Sequence, residues 1–70
     1  MLESQLCKQC ACIRHDLERD GYMLLEIEKM PSLRRYYYRH TNGTRFLLIL
    51  DLESISLTIY KNAHIHKIIK

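Results

Sequence analysis

The spacing of apolar residues differs between the N-terminal quarter of the chain and the remainder. Apolar side chains recur at helical spacing from Leu2 to Leu17, and Gly21 stands where a helix stop is expected. After Gly21, apolar and polar residues alternate with a period of two, which is typical of half-buried strands. The pattern therefore predicts one amphipathic helix, over about residues 3–20, followed by a series of strands.

Residues typical of turns separate the predicted strands. Pro31 ends the first strand, and Asn42-Gly43 is the dipeptide that best suits a two-residue type I′ hairpin turn. Asn62-Ala63 is a further turn candidate. The predicted strands cover about residues 22–30, 33–40, 44–52, 54–60 and 64–69. We expect a single α+β domain, residues 1–70, in which the helix packs on four to five antiparallel strands, with a small helix-capped β-barrel as the alternative.

A two-residue turn at Asn42-Gly43 would determine which hairpin side chains share a face. It would pair Tyr38 with Leu47. The more apolar row of the second hairpin strand is expected to lie against the helix, and it consists of Phe46, Leu48, Leu50 and Leu52. The side chains expected to face solvent are Arg34, Tyr36, Tyr38, His40 and Arg45. The same register turns Arg35 and Arg39 toward the core, where they fit only at the sheet edge with their charged ends reaching water.

Cationic and aromatic side chains dominate residues 33–45. The net charge of the chain is +3, yet residues 29–50 hold five basic residues and no acidic one, whereas residues 1–28 hold three basic and six acidic residues. Arginines contact phosphates, and exposed tyrosine rings stack on unpaired bases. The leading hypothesis is a small accessory or regulatory protein that binds RNA or single-stranded DNA. Its expected contact residues are Arg34, Arg35, Tyr36, Tyr38, Arg39, His40 and Arg45.

The same face also suits a protein partner. Leu47 and Ile49 are expected to face away from the helix, which leaves apolar surface that a monomer would expose. Tyrosine and arginine are also enriched among the residues that dominate binding at protein interfaces. The alternative function is therefore a protein-interaction module, such as an inhibitor or adaptor of the kind carried by mobile elements. We expect a homodimer or another protein complex.

Four possible zinc ligands lie in the predicted helix, namely Cys7, Cys10, Cys12 and His15. On a helix, Cys10 points into the apolar stripe while Cys12 and His15 lie on the opposite side, so the four groups cannot meet at one metal ion. No nucleophile, base and oxyanion-hole arrangement accompanies them. We therefore expect no enzyme activity, no metal, no cofactor and no small-molecule substrate.

The cysteines and the apolar runs of the chain indicate where in the cell the protein is located. Three cysteines cannot all pair within one chain, and the first eight residues contain no continuous apolar run of the kind found in signal peptides. The longest apolar run, Phe46 to Leu50, is far shorter than the roughly 18 residues that span a bilayer. We expect a soluble cytoplasmic protein without a membrane partner.

Overall fold

A computed structural model describes residues 2–70, which form one helix and five strands. The elements are α1 (Glu3–Arg19), β1 (Met23–Met30), β2 (Leu33–Arg39), β3 (Arg45–Asp51), β4 (Ser56–Lys61) and β5 (His64–Ile69). The strands form one antiparallel sheet in chain order, and β1 and β5 are its open edges. The predicted α+β arrangement is confirmed, and the alternative of a closed barrel is wrong because β1 and β5 do not pair.

Helix α1 packs on one face of the sheet, which we call the helix-side face. The buried side chains there are Leu6, Cys10, Leu17, Tyr36, Tyr38, Leu48, Leu50, Leu57 and Ile59. Full burial of one such large apolar side chain stabilises the fold by about 1.5–3 kcal/mol. The opposite face, which we call the outer face, is covered by no element within residues 2–70. In that part of the chain, no helix has the length and apolar character needed to span a membrane.

The β2–β3 hairpin has a three-residue loop in place of the predicted two-residue turn. The His40 amide donates to the Thr44 carbonyl at 2.8 Å, and the Gly43 amide donates to the His40 carbonyl at 2.9 Å. This geometry is a type I turn followed by a glycine at φ 92°, a common hairpin connection. The observed register pairs Tyr38 with Phe46, one residue away from the predicted pairing.

A one-residue slip reverses the faces of one strand relative to its neighbour. Strand β3 faces as predicted, with its alternate leucines toward the helix, but β2 is inverted. Tyr36 and Tyr38 therefore lie in the core and not in solvent, while Arg35 and Arg39 lie on the outer face and not on the core side. The inversion has a physical reason, because burying two guanidinium groups without partners would cost several kcal/mol.

The type I′ turn occurs between β4 and β5. Asn62 and Ala63 both have positive φ, 51° and 68°, and Lys61 pairs with His64 around them. The Asn62 amide donates to the Arg45 carbonyl, and Asn62 Oδ1 accepts the Arg45 amide, each at 2.9 Å. These bonds join the turn to the β2–β3 loop. The two connections form one end of the sheet, which we call the hairpin end.

Strand β4 begins at Ser56, two residues later than predicted, because the preceding segment forms a turn. Asp51 Oδ1 accepts the amides of Glu53 and Ser54 at 2.9 and 3.2 Å. Ile55 follows with a positive φ of 51°, outside the extended conformation of a strand. The β3–β4 loop and the β1–β2 loop together form the far end of the sheet.

Candidate binding face of the sheet

The predicted site residues are divided between the two faces. The outer face holds Arg35, Arg39 and Arg45. The helix-side face holds Arg34, Tyr36 and Tyr38. His40 lies where the β2–β3 loop begins, and its ring packs edge-on against Tyr22 with ring centres 5.0 Å apart. Of the predicted set, three arginines share one accessible surface.

Tyr36 and Tyr38 connect the sheet to the helix. Tyr38 is 1% exposed, and its hydroxyl accepts a bond from Arg14 Nε and donates one to Glu18 Oε2, both at 2.8 Å. The Arg14 guanidinium also lies 4.1 Å from the centre of the Tyr36 ring, a cation–π contact. Burial raises the pKa of the Tyr38 hydroxyl, so it stays neutral at ordinary pH. Both rings hold the fold together, and neither is open for base stacking.

The outer face contains an open groove of about 550 Å³ near the hairpin end. Its apolar and aromatic lining includes Leu25, Tyr37, Leu47, Tyr60 and Ala63. Arg39 and Arg45 complete the lining on the hairpin side. A groove with this lining can bury an apolar side chain at its centre and contact an anionic group at one end.

Arg39 and Arg45 face each other directly across β2 and β3. Both side chains are exposed, and among residues 2–70 no carboxylate lies within 4.0 Å of either guanidinium. Like charges directly opposite in a sheet destabilise it. The pair is therefore unfavourable for the isolated fold, and both groups are available to a carboxylate or phosphate from another molecule.

Toward the middle of the outer face, in contrast to the hairpin end, an arginine has an acidic neighbour. Glu28 Oε1 accepts the Tyr37 hydroxyl at 2.6 Å and lies 3.7 Å from an Arg35 guanidinium nitrogen. The hydrogen bond to Glu28 raises the pKa of the Tyr37 hydroxyl. Since Arg35 already has an acidic neighbour, the unbalanced positive charge of this face lies at the hairpin end, with Arg39 and Arg45.

A β-bulge in β1 brings Leu25 into the groove. Leu24 pairs with Tyr38 and Glu26 pairs with Tyr37, so Leu25 is the additional residue. The bulge also breaks the strict alternation of β1, because Ile27 pairs with the inward-facing Tyr36. Bulges change the direction of side chains in this way. Leu25 is 56% exposed, so the groove edge on this side is apolar and open.

The cysteines of α1 point in different directions, as helical spacing predicted. Cys10 is buried, Cys7 is half-buried and Cys12 is exposed. Burial raises the pKa of the Cys10 thiol to about 11, which keeps it protonated at neutral pH. Within residues 2–70, no three side chains of the histidine, cysteine, aspartate or glutamate type form a group that could hold a metal ion.

Comparison of the chain with protein-family models, curated proteins and solved structures gives no significant match. Function must therefore be inferred from the side chains of the outer face and from the space between them.

Proposed function

We propose that this protein is a non-catalytic protein-interaction module that binds its partner through the outer face of the sheet. The observation that carries the proposal is the Arg39–Arg45 pair beside an apolar groove, without a carboxylate of its own. Aromatic and arginine residues are enriched at protein interfaces and among their energetic hot spots. A suitable partner presents an apolar group for the groove and a carboxylate for the arginine pair.

The character of the groove favours a protein over a nucleic acid as the ligand. Tyr37 and Tyr60 are half-buried among aliphatic side chains, and the Tyr37 hydroxyl is already bonded to Glu28. Leu25 and Leu47 present aliphatic surface, which contributes to binding when an apolar side chain removes it from water. The charged phosphates of a nucleic acid gain nothing from such surface. The stacking platform expected from Tyr36 and Tyr38 is inside the core.

Affinity capture from cells that make the protein tests this function. The proposal predicts that a protein partner is retained by the wild type, is lost with Leu47→Lys, and is kept with Leu2→Lys. Leu2 is 67% exposed at the start of the helix, so it controls for adding the same charge elsewhere. Loss of the partner in both variants, or in neither, would contradict a role for the outer face.

Contact with RNA or single-stranded DNA is the second candidate function. It is favoured by three arginines on one accessible face, two of them without an acidic neighbour. Two or three phosphate contacts predict a log–log salt slope of about −1.5 to −2 for a single strand. A labelled oligonucleotide in a fluorescence anisotropy titration measures that slope, and Arg39→Gln and Arg45→Gln should each weaken binding. Absence of binding at low salt would exclude this candidate.

A further inference from the structure

We propose that the occupant of the outer face is a second copy of this chain, in a two-fold dimer whose sheets pack face to face. The inference rests on the proposed function, because it names the partner of the same surface. Three properties of the outer face favour a second copy: its apolar centre, the opposite charge at the two ends of β2 and β3, and its area.

Apolar side chains continue beyond the groove over the centre of the outer face. Leu47 and Ile49 of β3 are half-buried there, and Ile65 and Ile68 on β5 are 60% and 49% exposed. An antiparallel sheet in a monomer normally has one polar, solvated face. The outer face of this sheet instead has an apolar centre, which a second layer of the same kind would cover.

On strands β2 and β3, the two ends of the outer face carry opposite charge. The hairpin end has Arg39 and Arg45, and the far end has Asp51 on the outer row of β3 with Glu53 in the loop beyond it. Hydrogen bonds from two loop amides lower the pKa of the Asp51 carboxyl, which is therefore ionised at neutral pH. Two copies attract each other when the hairpin end of one lies over the far end of the other.

A two-fold axis that runs across the strands, between the two sheets, gives this arrangement. Packed sheets lie about 10 Å apart with strand directions within about 30° of each other. With this axis crossing β3 at Leu48, Arg45 lies opposite the second copy's Asp51, and Leu47 lies opposite the second copy's Ile49. An axis along the strands would instead bring the arginine pairs of both copies together, which like-charge repulsion disfavours.

The area of the outer face is sufficient for a weak dimer. Five strands at about 4.8 Å spacing and about seven residues at 3.3 Å give a face of roughly 24 by 23 Å, or about 1,100 Å² for two copies. A specific interface needs about 1,000 Å² in total, so the dimer stands near the lower limit. We therefore expect a dissociation constant in the micromolar range.

Pairing of two β1 edges is a less favourable route to a dimer. Glu26 and Glu28 lie on the same row of β1, and antiparallel pairing of two copies with continuous faces would place these carboxylates opposite one another. The bulge at Leu25 further interrupts the edge. Face-to-face packing leaves the bulged edge unpaired. It also lays Glu26 over Glu28 of the second copy, but these residues then belong to sheets about 10 Å apart, and Glu28 keeps the Arg35 guanidinium 3.7 Å away.

Sedimentation velocity from about 1 to 500 µM tests the inference over the range in which a micromolar dimer dissociates. We expect the wild type to shift from monomer to dimer. Leu47→Lys should weaken the dimer by about 30-fold or more, the effect of losing a hot-spot residue. Leu2→Lys and Ile27→Lys should leave it unchanged, since Leu2 is remote and Ile27 lies on the helix-side face of the β1 edge. Circular dichroism confirms that each variant is folded.

A double-mutant cycle tests the orientation. Arg45→Gln and Asp51→Asn should each weaken the dimer, and the double variant should lose less than the product of the two effects, because either change removes the same ion pair. Asn at position 51 retains a carbonyl oxygen for the loop amides, so the β3–β4 turn is preserved. Fully independent effects would contradict the proposed orientation.

The other outcomes separate the two proposals. A wild type that stays monomeric up to the highest concentration overturns the dimer, while the proposed function is still decided by affinity capture with Leu47→Lys. A dimer that survives Leu47→Lys but dissociates with Ile27→Lys uses the β1 edge, and that result contradicts the face-to-face dimer. It leaves the outer face free, so affinity capture with Leu47→Lys still decides the proposed function.

Discussion

Removal of the Tyr38 hydroxyl should destabilise the protein more than removal of the Tyr37 hydroxyl, although the two residues are adjacent. Tyr38 is buried, and its hydroxyl bonds to two charged groups, on Arg14 and Glu18. Loss of hydrogen bonds to charged partners costs about 1.5–3 kcal/mol. The Tyr37 hydroxyl makes one bond, to Glu28, on the open face, where water can replace it. Tyr37→Phe should therefore cost under about 1 kcal/mol.

Alanine variants should enlarge the difference. Tyr38→Ala leaves a cavity beneath the helix, and such aromatic-to-alanine changes cost about 3–5 kcal/mol. A domain of this size has a total stability of about 4–10 kcal/mol, so this variant will be partly unfolded. Tyr37→Ala removes a half-buried ring without opening the core, and it should retain most of the wild-type stability.

Urea denaturation followed by circular dichroism measures these differences. Protein concentrations of about 1 µM keep the monomer dominant if the dimer is micromolar. An unchanged m-value would show that each variant alters stability and not the compactness of either state. In the two-residue-turn register, Tyr37 is buried and Tyr38 is exposed, so the order of the effects is reversed. A larger loss with Tyr37→Phe than with Tyr38→Phe would refute the observed register.

Three other changes probe the turn, the core thiol and the arginine pair. Ala63→Gly should stabilise the fold by about 0.5–1 kcal/mol in thermal melts, because glycine accepts the left-handed backbone; a destabilised variant would contradict the type I′ turn. Above about pH 9 the wild type should lose stability relative to Cys10→Val, because the Cys10 thiol then ionises in the unfolded chain but stays protonated in the folded one, where its pKa is raised. A stability difference that stays constant up to pH 11 would contradict the burial of Cys10. Arg45→Glu should stabilise the monomer by about 0.2–1 kcal/mol in urea denaturation, because the new carboxylate attracts Arg39, and it should weaken the dimer. A less stable monomer would contradict the pairing of residues 39 and 45 across the two strands.

The spacing of apolar residues was sufficient to predict most of the architecture. The helical stripe through Leu6, Cys10 and Leu17 and the alternation in β3 each depend on one element, and the structure agrees with both. The pairing between β2 and β3 depends on the exact length of a loop, which local propensity did not determine. Asn42-Gly43 fits a two-residue type I′ turn and a three-residue loop ending in glycine equally well.

The arginines contained a signal that favoured the correct register. Arg35 and Arg39 share a face with Tyr37, so a register that buries Tyr37 also turns two guanidinium groups inward. The groove was harder to predict. Leu25 enters it through a bulge, and Ala63 through a backbone conformation that its side chain does not favour. Neither feature has a clear signature in a single sequence.

Solvent accessibility of methyl groups in solution tests the central claim most directly, namely that a second copy covers the outer face. A soluble paramagnetic agent broadens the NMR signals of exposed methyl groups and spares buried ones. As concentration rises, the Leu47 and Ile49 methyl groups should become protected and approach the behaviour of Leu48, which is buried in every state. Leu47 and Ile49 methyl groups that stay as accessible at high concentration as at low concentration would contradict the claim.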